Sequence, residues 1–98
     1  MESFLALKVH DDDNVATLFA EVADGSQVEI RDKKGDITKV TVLSDIPYGH
    51  KVALTKIHIG QQITKYGEEI GVATKEINIG DHVHVHNLDS MRARGDLA

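Results

Sequence analysis

The stretch Ile77-Asn78-Ile79-Gly80-Asp81-His82-Val83 carries the pattern that decides the fold: an aliphatic residue, two residues, glycine, two residues and a second aliphatic residue. The same spacing recurs at residues 22–28, 46–52 and 57–63. Each copy predicts a turn that leads into a strand, because glycine permits positive φ while the flanking aliphatic side chains anchor in the core. The uneven intervals between copies argue against a solenoid and favour a small, much-folded β domain.

Short strand-like segments surround these copies. They are bounded by glycine or polar turns and are rich in Ile, Val, Leu and Ala, whereas the chain has only two Phe, two Tyr and no Trp. A hairpin turn is predicted at residues 32–36, between two β-branched runs. The predicted strands cover residues 3–9, 28–30, 37–43, 51–54, 62–65, 70–73 and 82–87.

One segment favours a helix instead. Four apolar residues after an acidic run have the i, i+3, i+4, i+7 spacing of one helix face, namely Val15, Leu18, Phe19 and Val22. Asp13 or Asn14 could supply the N-cap oxygen. We therefore expect a mainly β domain over residues 1–90 with one short helix, followed by a polar tail at 91–98.

Composition excludes several classes of protein. A chain of 98 residues with a net charge of -5 fits one domain and lacks the basic footprint of a nucleic-acid-binding protein. The chain contains no cysteine and no apolar run of membrane-spanning length, so a cytoplasmic protein is expected. Phosphate-binding glycine loops, serine nucleophile elbows and His-Glu-x-x-His motifs are absent from the sequence.

A row of histidines is the main candidate for chemistry. His82, His84 and His86 alternate with valines, so on a strand all three imidazoles would face one side, about 6.6 Å apart. Neighbouring rings could bind one metal ion or flank one substrate. The alternation fits the solvated face of a half-buried strand equally well. Asn87, which follows the row with an amide that donates and accepts hydrogen bonds, favours a functional site.

Two further segments carry candidate side chains. His50 and Lys51 follow a Pro-Gly turn, so a proton-transfer group and a cation emerge together and suit an acidic substrate. The segment Lys65-Tyr66-Gly67-Glu68 is either a polar hairpin or a source of a substrate-facing cation and hydroxyl. Either segment is also explained by a solvated turn.

Four motifs in order resemble the SAF domain of altronate and galactarate dehydratases. They are Asp13-Asn14-Val15-Ala16, Ile46-Pro47-Tyr48-Gly49-His50-Lys51-Val52-Ala53-Leu54, Lys65-Tyr66-Gly67-Glu68 with Ile70-Gly71, and His84-Val85-His86-Asn87. The resemblance implies a β-clip fold and a hydro-lyase that removes water from a sugar acid. It also implies a divalent metal such as iron, shared with a large catalytic subunit or domain.

The resemblance assigns roles that remain expectations. His50, Lys51, His84 and His86 are the predicted catalytic residues, with His84 and His86 as metal ligands. Asn14, Tyr66 and Asn87 are the predicted substrate-binding residues. The alternatives are a noncatalytic carbohydrate- or partner-binding β-clip module and the alpha subunit of a sulfolactate sulfo-lyase. A homo-oligomer is also open.

Overall fold

The computed structural model describes residues 4–90, which form nine strands in two sheets. In the six-stranded sheet the order is β4-β3-β1-β2-β5-β8, and in the three-stranded sheet it is β6-β7-β9. Only β1 and β3 pair in parallel among these neighbours. The strands are β1 Phe4–Leu7, β2 Val15–Leu18, β3 Gln27–Arg31, β4 Ile37–Thr41, β5 Lys51–Ala53, β6 Gln62–Lys65, β7 Glu68–Ala73, β8 His82–Val83 and β9 Leu88–Ser90.

The mainly β, β-clip-type prediction is confirmed, and the repeated pattern has the predicted structure. The glycine of every copy has positive φ, between 82° and 92°. In each copy the residue after the glycine donates a backbone hydrogen bond to the residue three positions earlier. The copies also associate in pairs, because Val22 bridges Ile46 and Ile57 bridges Ile77 in antiparallel fashion. Both aliphatic residues of every copy are fully or almost fully buried.

Two hydrophobic clusters form the core on opposite faces of β2 and β5. Leu18 and Val52 belong to the first cluster, together with Val28 and Ile46. The second cluster contains Val15 and Ala53 from the same two strands, together with Ile57, Ile63, Ile77 and Val83. Because successive strand residues point to opposite faces, β2 and β5 contribute to both clusters.

The predicted short helix is wrong. Val15–Leu18 is strand β2, which is hydrogen-bonded between β1 and β5, and the described residues contain no helix. Strand pairing on both sides outweighs the helical spacing, and Phe19 is 48% exposed instead of joining a buried helix face. None of the described residues therefore forms a helix that could cross a membrane.

Asp13 and Asn14 do not cap a helix. The buried Asp13 carboxylate accepts backbone hydrogen bonds from His10 at 3.0 Å and from Gly67 at 2.8 Å. The side-chain oxygen Oδ1 of Asn14 accepts the backbone N–H of Thr64 at 2.8 Å, and the side-chain nitrogen Nδ2 donates to the backbone carbonyl oxygen of Gln62 at 2.9 Å. These two side chains tie the start of β2 to β6 and to the β6–β7 turn.

The predicted strand over residues 82–87 is mostly wrong as well. Only His82–Val83 is a strand, and residues 84–87 form a turn before β9. The β3–β4 hairpin at residues 32–36 is confirmed by its five-residue register and by Asp32, which accepts the N–H groups of Lys34 and Asp36. The tail predicted at residues 91–98 lies outside the described residues.

Candidate functional site

Two copies of the repeat bring histidines together. His50 ends the turn of the copy at 46–52, and His82 lies in the copy at 77–83. Strands β5 and β8 pair these copies directly, with Val52 opposite His82 and Lys51 opposite Val83. As a result, His50 Nδ1 and His82 Nε2 lie 2.8 Å apart, a hydrogen bond in which one imidazole donates and the other accepts.

The turn after β8 adds two more imidazoles. Asn87, which is buried, accepts the N–H of His84 at 3.0 Å and donates its side-chain amide to the His82 carbonyl oxygen at 2.9 Å. Its own N–H donates to the His84 carbonyl oxygen at 3.1 Å. The Asn87 side chain therefore fixes the turn that carries His84 and His86.

The four rings form one cluster, which we call the imidazole cluster: His50, His82, His84 and His86. His50 stacks on His84 with ring centroids 4.1 Å apart, and His86 lies against His82 at 5.0 Å. One nitrogen from each of His50, His82 and His84 lies within 4.8 Å of the others. These three rings are half-buried, whereas His86 is exposed. Imidazole nitrogens at such separations could accept protons or bind a metal ion together.

The surroundings of His82 and His84 favour the neutral form of these two imidazoles. Burial, followed by repulsion from His86 and His50, lowers the pKa of His82 from 6.5 to about 4. Burial also lowers the pKa of His84, with His50 and Lys51 adding repulsion. Near neutral pH both rings are therefore uncharged, which is the form that a base or a metal ligand requires.

Lys51 lies beside the cluster but on the other face of its strand. It shares a face with Ala53 and Val83, while Val52 and His82 face the opposite side. Burial lowers the pKa of Lys51, and repulsion from Lys65 lowers it further. The predicted cation is therefore partly desolvated, which strengthens its attraction for an anion.

Asn14 and Tyr66 are not brought into the cluster. Within residues 4–90 no hydrogen bond or ring contact joins either residue to a histidine. Tyr66 has a φ of 58° in the β6–β7 turn, and its exposed ring lies 4.8 Å from Lys65 Nζ. The substrate contacts predicted for Asn14, Tyr66 and Asn87 stay predictions, and the structure gives the amides of Asn14 and Asn87 backbone partners.

His82 is the member that sequence reasoning left out of the site. The alternation placed it in the histidine row, yet His84 and His86 were preferred as ligands because of the motif they share with Asn87. In the structure His82 is the ring that contacts His50, His84 and His86. The repeat carried the missing signal, since it places His82 immediately before the buried residue that ends its copy.

The sequence is similar to a domain of known dehydratases. A family model for the altronate/galactarate dehydratase SAF domain matches residues 4–91. The chain is similar to altronate dehydratase of Escherichia coli (strain K12), with 43% identity over 98 residues that cover 93% of this chain and 19% of that protein. For altronate dehydratase of Bacillus subtilis (strain 168), identity is 38% over 87 residues, covering 89% and 16%.

A shorter relative matches over nearly its whole length. The (2R)-sulfolactate sulfo-lyase subunit alpha of Chromohalobacter salexigens is 33% identical over 88 residues, which cover 86% of this chain and 93% of that subunit. By contrast, the chain spans less than a fifth of the length of the two altronate dehydratases.

Proposed function

Since the chain belongs to the altronate/galactarate dehydratase SAF-domain family, we propose that it is the small subunit or N-terminal domain of a sugar-acid hydro-lyase. The observation that supports this most is the imidazole cluster, in which two separate repeat copies and the turn after β8 place His50, His82 and His84 within reach of one bound group. The cluster is only half-buried, so a large catalytic region would supply the remaining wall of the active site.

The proposed reaction removes water from a hydroxy acid. A base takes the proton α to the carboxylate, a positive charge stabilises the enolate, and an acid assists departure of hydroxide. His84 is the proposed base, because it is half-buried and its lowered pKa keeps it neutral. His86, which is exposed, is the proposed proton-transfer partner towards the large region, and Lys51 would attract substrate negative charge.

The cluster also suits the divalent metal that the family resemblance implies. Three imidazoles with ligand atoms within 4.8 Å of one another form a suitable donor set. His50, His82 and His84 would hold the ion, in place of the predicted pair His84 and His86. The base role and the ligand role of His84 are alternatives, because both need the single lone pair of the neutral imidazole. Such an ion supplies Lewis-acid stabilisation of an enolate.

A sulfo-lyase subunit is the second candidate. It is favoured by one observation, the match to 93% of the length of a sulfolactate sulfo-lyase alpha subunit. Elimination next to a carboxylate would use the same imidazoles and a different leaving group. Both candidates require a large partner, and for both a cytoplasmic location stays a prediction.

A chimera tests the proposal. The segment of E. coli altronate dehydratase that this chain matches is deleted in one protein and replaced by this chain in another. The proposal predicts that the deletion abolishes dehydration and that the chimera restores it on altronate, galactarate or sulfolactate. His86→Ala should abolish the restored turnover while the chimera stays folded by circular dichroism.

Two results would contradict the proposal. Full activity of the deleted protein would mean that this domain contributes nothing to catalysis. Full activity of the His86→Ala chimera would remove the proton-transfer role of His86. A domain that is needed for assembly while every cluster variant stays active would identify a noncatalytic binding module.

A further inference from the structure

A second set of polar side chains lies at the border of the second hydrophobic cluster. Thr17, Lys51 and Val83 are register partners across β2, β5 and β8, so their side chains share one face of the sheet. Val15 and Ala53 are the preceding register pair on that face and are buried in the core. The face therefore changes from apolar to polar at Thr17 and Lys51.

Lys65 approaches the same place from the other sheet. It lies two residues after Ile63 on β6, and Ile63 is fully buried in the same hydrophobic cluster. The two side chains share a face of β6, so Lys65 extends from the cluster towards solvent. Repulsion from Lys65 also lowers the pKa of Lys51, so the two ammonium groups lie within electrostatic reach of each other. We call Thr17, Lys51 and Lys65 the lysine site.

Within the described residues the lysine site has no salt bridge and one unsatisfied hydroxyl, although Glu68 is the register partner of Lys65. Among residues 4–90 neither Lys51 nor Lys65 forms a salt bridge. Thr17 Oγ1 is buried and is the one buried side-chain oxygen or nitrogen in that range without a hydrogen bond. Two neighbouring cations and an unsatisfied hydroxyl cost stability unless a ligand compensates them.

We propose that the lysine site is an anion subsite that binds one carboxylate of a small hydroxy acid. A carboxylate could accept hydrogen bonds from both ammonium groups and from the Thr17 hydroxyl, which would remove all three deficiencies at once. This inference rests on the proposed function only for the class of ligand.

The subsite adjoins the imidazole cluster. Lys51 follows His50 in the chain, and its positive charge acts on both His82 and His84. The two sites lie on opposite faces of β5, so the lysine site is an anion subsite beside the cluster and not a part of it.

An NMR titration of the isotope-labelled 98-residue chain with galactarate tests the inference. Binding is measured by the chemical-shift changes of the backbone amides. Galactitol is the matched probe, because it has the same carbon skeleton and no carboxylate. Galactarate should give saturable shifts at Thr17, Lys51 and Lys65, and galactitol should give none. Lys65→Gln should weaken binding about tenfold, since it removes a charge-assisted hydrogen bond. Lys39 is an exposed lysine of β4, and Lys39→Gln should leave galactarate binding unchanged.

Thr17→Val distinguishes a ligand role from a structural one. Removing an unsatisfied hydroxyl should raise the melting temperature of the free chain, while galactarate binding weakens. Absence of saturable shifts at the lysine site, or equal weakening by Lys39→Gln, would overturn the inference. An inactive chimera with intact galactarate binding would refute the proposed enzyme and leave the subsite standing.

Discussion

The copies at 46–52 and 77–83 share a backbone with the copies at 22–28 and 57–63 but differ in chemistry. The two residues before the final aliphatic residue are Ser-Gln in the copy at 22–28 and Gln-Gln in the copy at 57–63. They are His-Lys in the copy at 46–52 and Asp-His in the copy at 77–83. Strands β5 and β8 pair the copy at 46–52 with the copy at 77–83. The aliphatic and glycine positions thus build the fold, and the two variable positions build the site.

A contrast between two histidines supports this difference. His58 lies at the start of the turn in the copy at 57–63, and its Nδ1 is 3.1 Å from a Glu76 carboxylate oxygen. His82 is surrounded by other imidazoles and by Lys51. One environment is an exposed contact with a carboxylate, and the other combines burial with repulsion.

Substitution of a repeat glycine should have the greatest effect on the free energy of unfolding. Gly60 and Gly80 have nearly equal φ, 85° and 92°, but a Cβ at Gly60 meets open space whereas one at Gly80 would overlap the Thr41 carbonyl oxygen. Gly60→Ala should lose about 1–2 kcal/mol of unfolding free energy from the left-handed backbone alone. Gly80→Ala should lose at least about 3 kcal/mol. Urea unfolding of both variants measures the difference, and equal losses would contradict the close approach.

The next effect concerns the turn that distinguishes the copy at 77–83. Asn87→Ala removes two buried hydrogen bonds to the backbone of His82 and His84, so we expect a loss of about 2 kcal/mol. The amide shifts of residues 84–86 should also change, because the turn is released. Asn78→Ala is the control, since the side chain of Asn78 is exposed. A smaller loss for Asn87→Ala than for the control would contradict the positional role.

The smallest effect concerns pH. The pKa of His82 is about 4 in the folded chain, below its ordinary value of 6.5, so the unfolded chain binds more protons between these values. The free energy of unfolding should therefore fall as pH falls from about 6.5 to 4, by about 1 kcal/mol after solvent screening. His82→Gln should flatten this dependence in EDTA-containing buffer. Asn78→Ala, which removes an exposed side chain without a titratable group, should leave it unchanged. An unchanged slope in His82→Gln would assign the dependence to other groups.

Much of the fold could be predicted from the sequence because aliphatic spacing and glycine act locally. The strand Gln62–Lys65 and the β3–β4 hairpin were predicted where they occur. The segment at Val15 was mispredicted, because its spacing fits a helix and a strand alike and only pairing with β1 and β5 decides between them. Local patterns do not contain that pairing.

The site was predictable in its residue types and not in its arrangement. Histidines in two motifs indicated proton transfer or metal binding, but their alternation predicted a row on one strand. The strand ends at Val83, and the Asn87 turn folds His84 back onto His50. Which copies become neighbours depends on sheet order, so the contact between His50 and His82 required the structure.

Catalysis should depend on the imidazole cluster and not on histidine content in general. A comparison of kcat/KM between the altronate dehydratase chimera carrying His84→Gln and that carrying His58→Gln tests this dependence. We expect a loss of about 100-fold or more for His84→Gln and an unchanged value for His58→Gln, with both proteins folded. Equal values for the two variants would contradict it.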